Sequence, residues 1–144
     1  NVKLSYKNWD FGFNGHGSLG YKVFNDFASN HSSAYFDVNA GNLPNFATAV
    51  KRTGFTQISG DYQYFSDFFL ENASFFRLDD INLGYTFRDI RNWNGNIRVA
   101  ASCQNVFVLT NYSGIDPEIN STDGVDRTFW PRPRTFSIRL NVNF

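Results

Sequence analysis

Arg134-Thr135-Phe136-Ser137-Ile138-Arg139-Leu140-Asn141-Val142-Asn143-Phe144 alternates without a fault. Phe136, Ile138, Leu140, Val142 and Phe144 are apolar, and Thr135, Ser137, Arg139, Asn141 and Asn143 between them are polar. A period of two is the mark of a β-strand with one greasy face and one wet face. The run matches the length of a tilted membrane-spanning strand, about 9–11 residues. It also stops on an aromatic residue. A globular domain seldom stops mid-strand on an exposed Phe, whereas a barrel in an outer membrane closes with such a strand. The first expectation is therefore an all-β, antiparallel transmembrane β-barrel.

Working back from this strand, four more carry the same signal. Asn96 to Phe107 puts Ile97, Val99, Ala101 and Cys103 on one face, and Arg98, Ser102 and Gln104 on the other. Ser74 to Phe87 changes phase midway: Phe76 and Leu78 share one parity, then Ile81, Leu83, Tyr85 and Phe87 share the other. A β-bulge near Asp79-Asp80 absorbs such a slip. Asp10 to Tyr21 places Phe11, Phe13, Leu19 and Tyr21 opposite Gly12, Asn14, His16, Ser18 and Gly20. Val2 to Lys7 is short, with Val2, Leu4 and Tyr6 on one side.

The connections alternate in length. Lys7 to Asp10 is a tight turn. Lys22 to Ala73 is long and polar. Arg88 to Gly95 is short and holds the turn dipeptide Asn94-Gly95. Val108 to Pro133 is long again. An outer-membrane barrel sorts its connections this way, with short periplasmic turns on one side and long extracellular loops on the other. The short turns are accordingly assigned to the periplasm and the stretches 22–73 and 108–133 to the exterior. Trp9, Trp93 and Trp130 fall near strand ends, where an interfacial aromatic belt belongs. Neither long stretch shows sustained helical periodicity.

Composition agrees. Phe numbers 17 and Met is absent, which suits a broad apolar surface belted by rings. Basic and acidic residues balance at 13 each, so nothing points to nucleic acid as a partner. No apolar run is long enough for a spanning helix. The chain lacks an initiating Met and a signal-like leader, so a mature, processed or excised chain is expected. Cys103 is the single cysteine, which rules out a disulfide within the chain. Five strands do not close a barrel, since about eight is the smallest bacterial count. An open sheet in lipid would strand its edge hydrogen-bonding groups. Residues 1–144 are therefore expected to be the C-terminal strands of a larger barrel.

The motifs sharpen this. Ser74-Phe75-Phe76-Arg77-Leu78 running to Leu83-Gly84-Tyr85-Thr86-Phe87 resembles a barrel strand of SusC/RagA-like TonB-dependent transporters. Gln104-Asn105-Val106-Phe107, Asn111-Tyr112-Ser113-Gly114-Ile115-Asp116-Pro117-Glu118 and Trp130-Pro131-Arg132-Pro133-Arg134-Thr135-Phe136 resemble further segments of that family, in the family's order. Tyr6 to Phe11 and Gly20 to Asn25 fit the preceding hairpin. Cys103 departs from the family, which favours a smaller residue there, and Asp26 to Asp67 matches no family motif. The resemblance implies a barrel of about 22 strands in the bacterial outer membrane and TonB-driven uptake of glycans or peptides. It also implies several partners: a SusD-like surface lipoprotein, the remaining strands and plug of the same transporter, and the TonB complex acting through that plug. It makes the terminal apolar row, Phe136, Ile138, Leu140, Val142 and Phe144, a signal read by the barrel-assembly machinery.

Catalytic and cofactor chemistry is not expected. Asp116, Glu118, Asp123 and Asp126 share one loop, but their spacing is not that of an EF-hand, and a loop-structuring role is the plainer reading. Asp79 and Asp80 are adjacent and so diverge on a strand. His16 and His31 have no partner at ligand or triad spacing, and Cys103 lies on the apolar parity as an inert thiol. Arg77, Arg98 and Arg139 fall on polar faces and are assigned to a lumen wall, solvated rather than substrate-binding. Tyr62, Tyr64 and Phe65, with Phe68 and Phe69, form an aromatic cluster. It is a candidate ligand contact, since rings stack on sugars, although loop packing or rim anchoring is the plainer role. The alternative to the whole reading is a secreted β-sandwich that binds carbohydrate through exposed aromatics. Such a protein would be soluble without detergent.

Overall fold

The computed structural model describes residues 1–31, 66–88, 94–119, 121–127 and 130–144. These divide into two compact units. The first comprises 1–18, 75–110 and 132–144, and the second 19–74 and 111–131.

The first unit is a single five-stranded sheet. Its strands are β1 (Val2–Tyr6), β2 (Trp9–Ser18), β5 (Phe75–Phe87), β6 (Asn96–Thr110) and β8 (Thr135–Asn143), in that spatial order. Every pairing is antiparallel. All five strands expected from alternation are present, with ends shifted by up to three residues. The largest shifts are in β2, which stops at Ser18 rather than Tyr21, and β6, which runs on to Thr110. The tight turn between β1 and β2 uses a left-handed Lys7, φ 54°, as a short hairpin connection requires.

The phase slip in β5 is a bulge, as its sequence requires. Asp80 pairs with Asn14 of β2 and Gln104 of β6, and Leu78 pairs with Gly15 and Phe107. Asp79 is thus skipped on both sides. Opposite it, β6 has its own irregularity at Asn105, which adopts φ 52°, a conformation that Asn tolerates better than most residues. The paired irregularities let Phe76 and Leu78 join the same face as Ile81 and Leu83 despite their opposite parity.

The second unit is built on a small sheet that alternation did not reveal. Its central strand β3 (Lys22–Asn25) runs antiparallel to β4 (Leu70–Asn72) and parallel to β7 (Val125–Asp126). Helix α1 (Asp26–His31) follows β3 directly. Asn25 caps it, its Oδ1 accepting from Ala28 N at 2.9 Å. The core of this unit is Val23, Ala73 and Tyr112, with Tyr21 and Ile119 packed against them.

Candidate functional site

The sheet's two faces are chemically opposite, and register shows how. On one face Val142, Leu140, Ile138 and Phe136 of β8 stand beside Ile97, Val99, Ala101 and Cys103 of β6. These in turn oppose Phe87, Tyr85, Leu83 and Ile81 of β5. Tyr85, Leu83 and Ile81 meet Trp9, Phe11 and Phe13 of β2, which oppose Tyr6, Leu4 and Val2 of β1. No charged or amide residue interrupts these rows; the polar groups in them are the weakly polar thiol of Cys103 and the ring tips of Tyr6, Trp9 and Tyr85 at one end. The face is also open: Ile138 is 84% exposed, and Leu4, Leu83 and Leu140 are exposed as well. Water-facing surfaces do not carry continuous apolar areas of this extent.

The opposite face is polar and internally paired. Asp10 of β2 and Arg98 of β6 meet across β5 in a two-point salt bridge, Nε to Oδ1 at 2.9 Å and Nη2 to Oδ2 at 2.5 Å. They cross over Gly84, which pairs with Asp10 on one side and Ala100 on the other. A Cβ at Gly84 would lie 2.5 Å from both Arg98 Nη2 and Asp10 Oδ2, so this bridge would have to shift to admit any other residue there. Arg139 stands next along that row, opposite Ala100, and is exposed.

Nearer the long loops, Arg77 is only 3% exposed. It donates from Nη1 to Asn105 Oδ1 at 2.9 Å, and Asn105 Nδ2 donates to the carbonyl of Arg132 at 2.7 Å. Asn105 thereby ties β5 to the segment that leads into β8. His16 does have a partner, contrary to expectation from spacing: its Nδ1 lies 2.7 Å from Asp79 Oδ2. The bulge that skips Asp79 in the ladder brings it to His16 on the neighbouring strand.

In the second unit, buried polar groups are tied together. Tyr112 donates its hydroxyl to Asp126 Oδ2 at 2.8 Å. Burial, reinforced by this hydrogen bond and by the nearby carboxylates, pushes the phenol well above its ordinary value. Asn25 donates to Glu71 Oε1 at 3.0 Å and to Ser113 Oγ at 3.2 Å, and Ser113 N donates to Glu71 Oε2 at 2.9 Å. Tyr21 donates to the Pro117 carbonyl at 2.6 Å. The loop acids have structural partners: Asp116 accepts from Glu118 N at 2.9 Å, and Asp123 accepts from Arg127 Nη1 at 2.7 Å. The Arg127 hydrogen bond holds the Asp123 carboxyl below the usual range. Among the described residues, no three His, Cys, Asp or Glu side chains are grouped to hold a metal.

Of the residues singled out in the sequence, Phe136, Ile138, Leu140 and Val142 share the apolar face, and Phe144 follows them, fully exposed. Arg98 and Arg139 neighbour one another on the polar face around one hollow, with Asn82 and Ser102. Arg77 sits apart from them, beyond the bulge. Tyr62, Tyr64, Phe65 and Trp93 lie outside the described residues. Asp10, Gly84 and Asn105 escaped notice as functional residues. The signals for them were Gly84 inside an otherwise bulky strand and Asn105 in the Gln104–Phe107 motif.

No protein-family model matches the chain. The TonB-dependent receptor SusC of Bacteroides thetaiotaomicron is 39% identical over 99% of the chain, and the TonB-dependent receptor P3 of Formosa agariphila is 28% identical over all of it. The chain spans 14% and 16% of those proteins' lengths. Among solved structures, the RagAB peptide transporter matches 94% of the chain with a TM-score of 0.67 at 21% identity, and 15% of that transporter chain is covered. The RagAB importer in its open-open state matches 97% of the chain with a TM-score of 0.65 at 19% identity, covering 16% of that chain. No helix among the described residues is long and apolar enough to cross a membrane; barrels cross with strands. With its sequence akin to SusC along nearly its whole length and its sheet folded like part of RagAB, this chain belongs to the SusC/RagA-like TonB-dependent receptors, of which it spans a segment.

Proposed function

We propose that the chain forms part of the barrel wall of a TonB-dependent importer in the bacterial outer membrane. The importer takes up glycans or peptides and works with a SusD-like surface lipoprotein. The observation that carries this is the sheet's division into one unbroken apolar face and one paired polar face. That division matches lipid outside and water inside. Peptide is the cargo named for RagAB; glycan comes from the family resemblance of the motifs. The chain's role is architectural and not enzymatic. Arg77, Arg98 and Arg139 are lumen-wall residues in this reading. The row Phe136, Ile138, Leu140, Val142 and Phe144 is both lipid-facing wall and assembly signal. TonB acts through a plug elsewhere in the transporter.

The same reading places the second unit outside the cell, since it holds the two long connections, and the turns at Lys7-Asn8 and 88–95 in the periplasm. Ser121→Cys in the full-length transporter tests the orientation, with native Cys103 replaced by Ser. The thiol introduced at position 121 is expected to react with an impermeant thiol reagent on intact cells. Labelling only after the outer membrane is opened would reverse the topology.

A further inference from the structure

The apolar face is not uniformly filled. Along the middle of β6, beyond Ile97, the outward residues are Val99, Ala101 and Cys103, all small or medium. The rows on either side are bulky: Ile81, Leu83 and Tyr85 on β5, and Phe136, Ile138 and Leu140 on β8. A lane of short side chains between two lanes of long ones is a furrow. Two hollows lie along it, of about 470 and about 260 Å³, and they share Leu83 and Ala101. The larger is walled at one end by Trp9, Tyr85 and Phe87. Their rings contact edge to face in sequence, with centroids 4.7 Å apart for Trp9–Tyr85 and 4.7 Å for Tyr85–Phe87. This end is also where β2 begins and β5 finishes, beside the short connections.

We infer that this furrow seats one acyl chain of a phospholipid, with its headgroup end at the Trp9–Tyr85–Phe87 wall and its tail running over Ala101 toward Cys103. The inference rests on the proposed lipid-facing role of this face. Three features select an acyl chain over a protein partner. The furrow is continuous with the rest of the lipid-facing rows. Its floor and walls offer almost no polar group, so nothing in it would specify a peptide. And its hollows are small, about 260 and about 470 Å³, which suits one hydrocarbon chain and not a helix about 10 Å across. Tyr and Trp at one end supply the amphipathic rings that settle at headgroup level, which gives the seat a direction and assigns it to the leaflet on the short-turn side.

The test is native mass spectrometry of the full-length transporter, extracted in mild detergent and equilibrated with phosphatidylethanolamine. Three variants are compared with the parent. Ala101→Phe fills the furrow floor, Ala101→Leu fills it less drastically, and Leu4→Phe places the same aromatic ring in the same row of the face on β1, three strands away and outside the furrow. The parent and Leu4→Phe are expected to retain a phospholipid through detergent exchange. Both Ala101 variants should retain it about tenfold less, the loss expected from uncovering roughly two methylenes. Heat-modifiable migration identifies which Ala101 variant is folded, and the comparison is read from that one. Equal retention in the parent and the folded Ala101 variants, or none in the parent, overturns the inference while leaving the protein in the outer membrane. Failure of the barrel-wall reading shows itself differently: the full-length protein would then be soluble and absent from the outer-membrane fraction, and the seat would fall with it.

Discussion

Asp10 and Arg98 are held together across a strand to which neither belongs. They sit on β2 and β6, and their side chains join above Gly84 of the intervening β5. The bridge pins three neighbouring strands in one register. It also neutralises two charges on the polar face, so that Arg139 remains as the exposed cation beside them.

Gly84→Ala should therefore act as a break in this bridge more than as a change in strand propensity. Its new Cβ would fall on both partners. The pair is about one-third exposed, which limits its worth to about 1 kcal/mol. The full-length barrel should lose about 1–2 kcal/mol in urea unfolding from detergent micelles, through the lost bridge and local displacement. In the Asp10→Asn/Arg98→Gln background the same substitution should cost less. An equal cost in both backgrounds would mean that Gly84 serves some purpose other than the bridge.

The terminal row should matter for biogenesis. Phe144 is exposed at the end of the apolar row that begins with Phe136, and the proposal makes that row an assembly signal. Phe144→Ala in the full-length transporter should lower the amount of heat-modifiable barrel in the outer membrane while sparing uptake per folded molecule. Unchanged folded levels would remove the assembly role.

The loop unit carries a pH dependence with a definite sign. Tyr112 is buried and its phenol is raised above the ordinary value of 10. A neutral phenol is thus favoured in the folded unit, while the unfolded chain ionises at the ordinary value. The hydroxyl's contribution is fully present below pH 10 and is lost as pH climbs above it toward the raised value. Limited proteolysis of the loops should accelerate above pH 10 in the parent. Tyr112→Phe should remove that acceleration and expose the loops somewhat at every pH, because buried Asp126 loses a donor worth about 1–3 kcal/mol. A parent and variant with the same alkaline profile would dissociate Tyr112 from loop stability.

What was legible in the sequence is what alternation encodes. Each strand of the large sheet is long enough to repeat its period several times, and Asp79-Asp80 betrayed the bulge because a period of two cannot change parity silently. The small sheet was not legible. Its strands span two to four residues, at most two periods, and its core joins Val23 to Tyr112 across most of the chain. Partnerships were hidden for the same reason. His16 finds Asp79 only because β2 and β5 pair with that register, and Asp10 finds Arg98 only because a glycine stands between them. Register arises from the ladder as a whole and leaves no mark in any one strand. Asn105 was visible in its motif, but its work in linking Arg77 to Arg132 depends on a left-handed backbone that the sequence does not announce.

The central claim is that one face of this sheet meets lipid and the other meets water. Two adjacent residues of β8 test it most directly. Leu140 lies in the apolar row opposite Val99, and Asn141 lies on the polar side opposite Arg98. Arginine facing lipid costs about 2–4 kcal/mol at the bilayer midplane and less toward the interface. In the full-length barrel folded into lipid vesicles, Leu140→Arg should therefore lower folding stability clearly, by about 1–3 kcal/mol for a site toward one strand end. Asn141→Arg should change it little, apart from modest repulsion from Arg98. Equal losses, or a larger loss for Asn141→Arg, would contradict the assignment of the two faces.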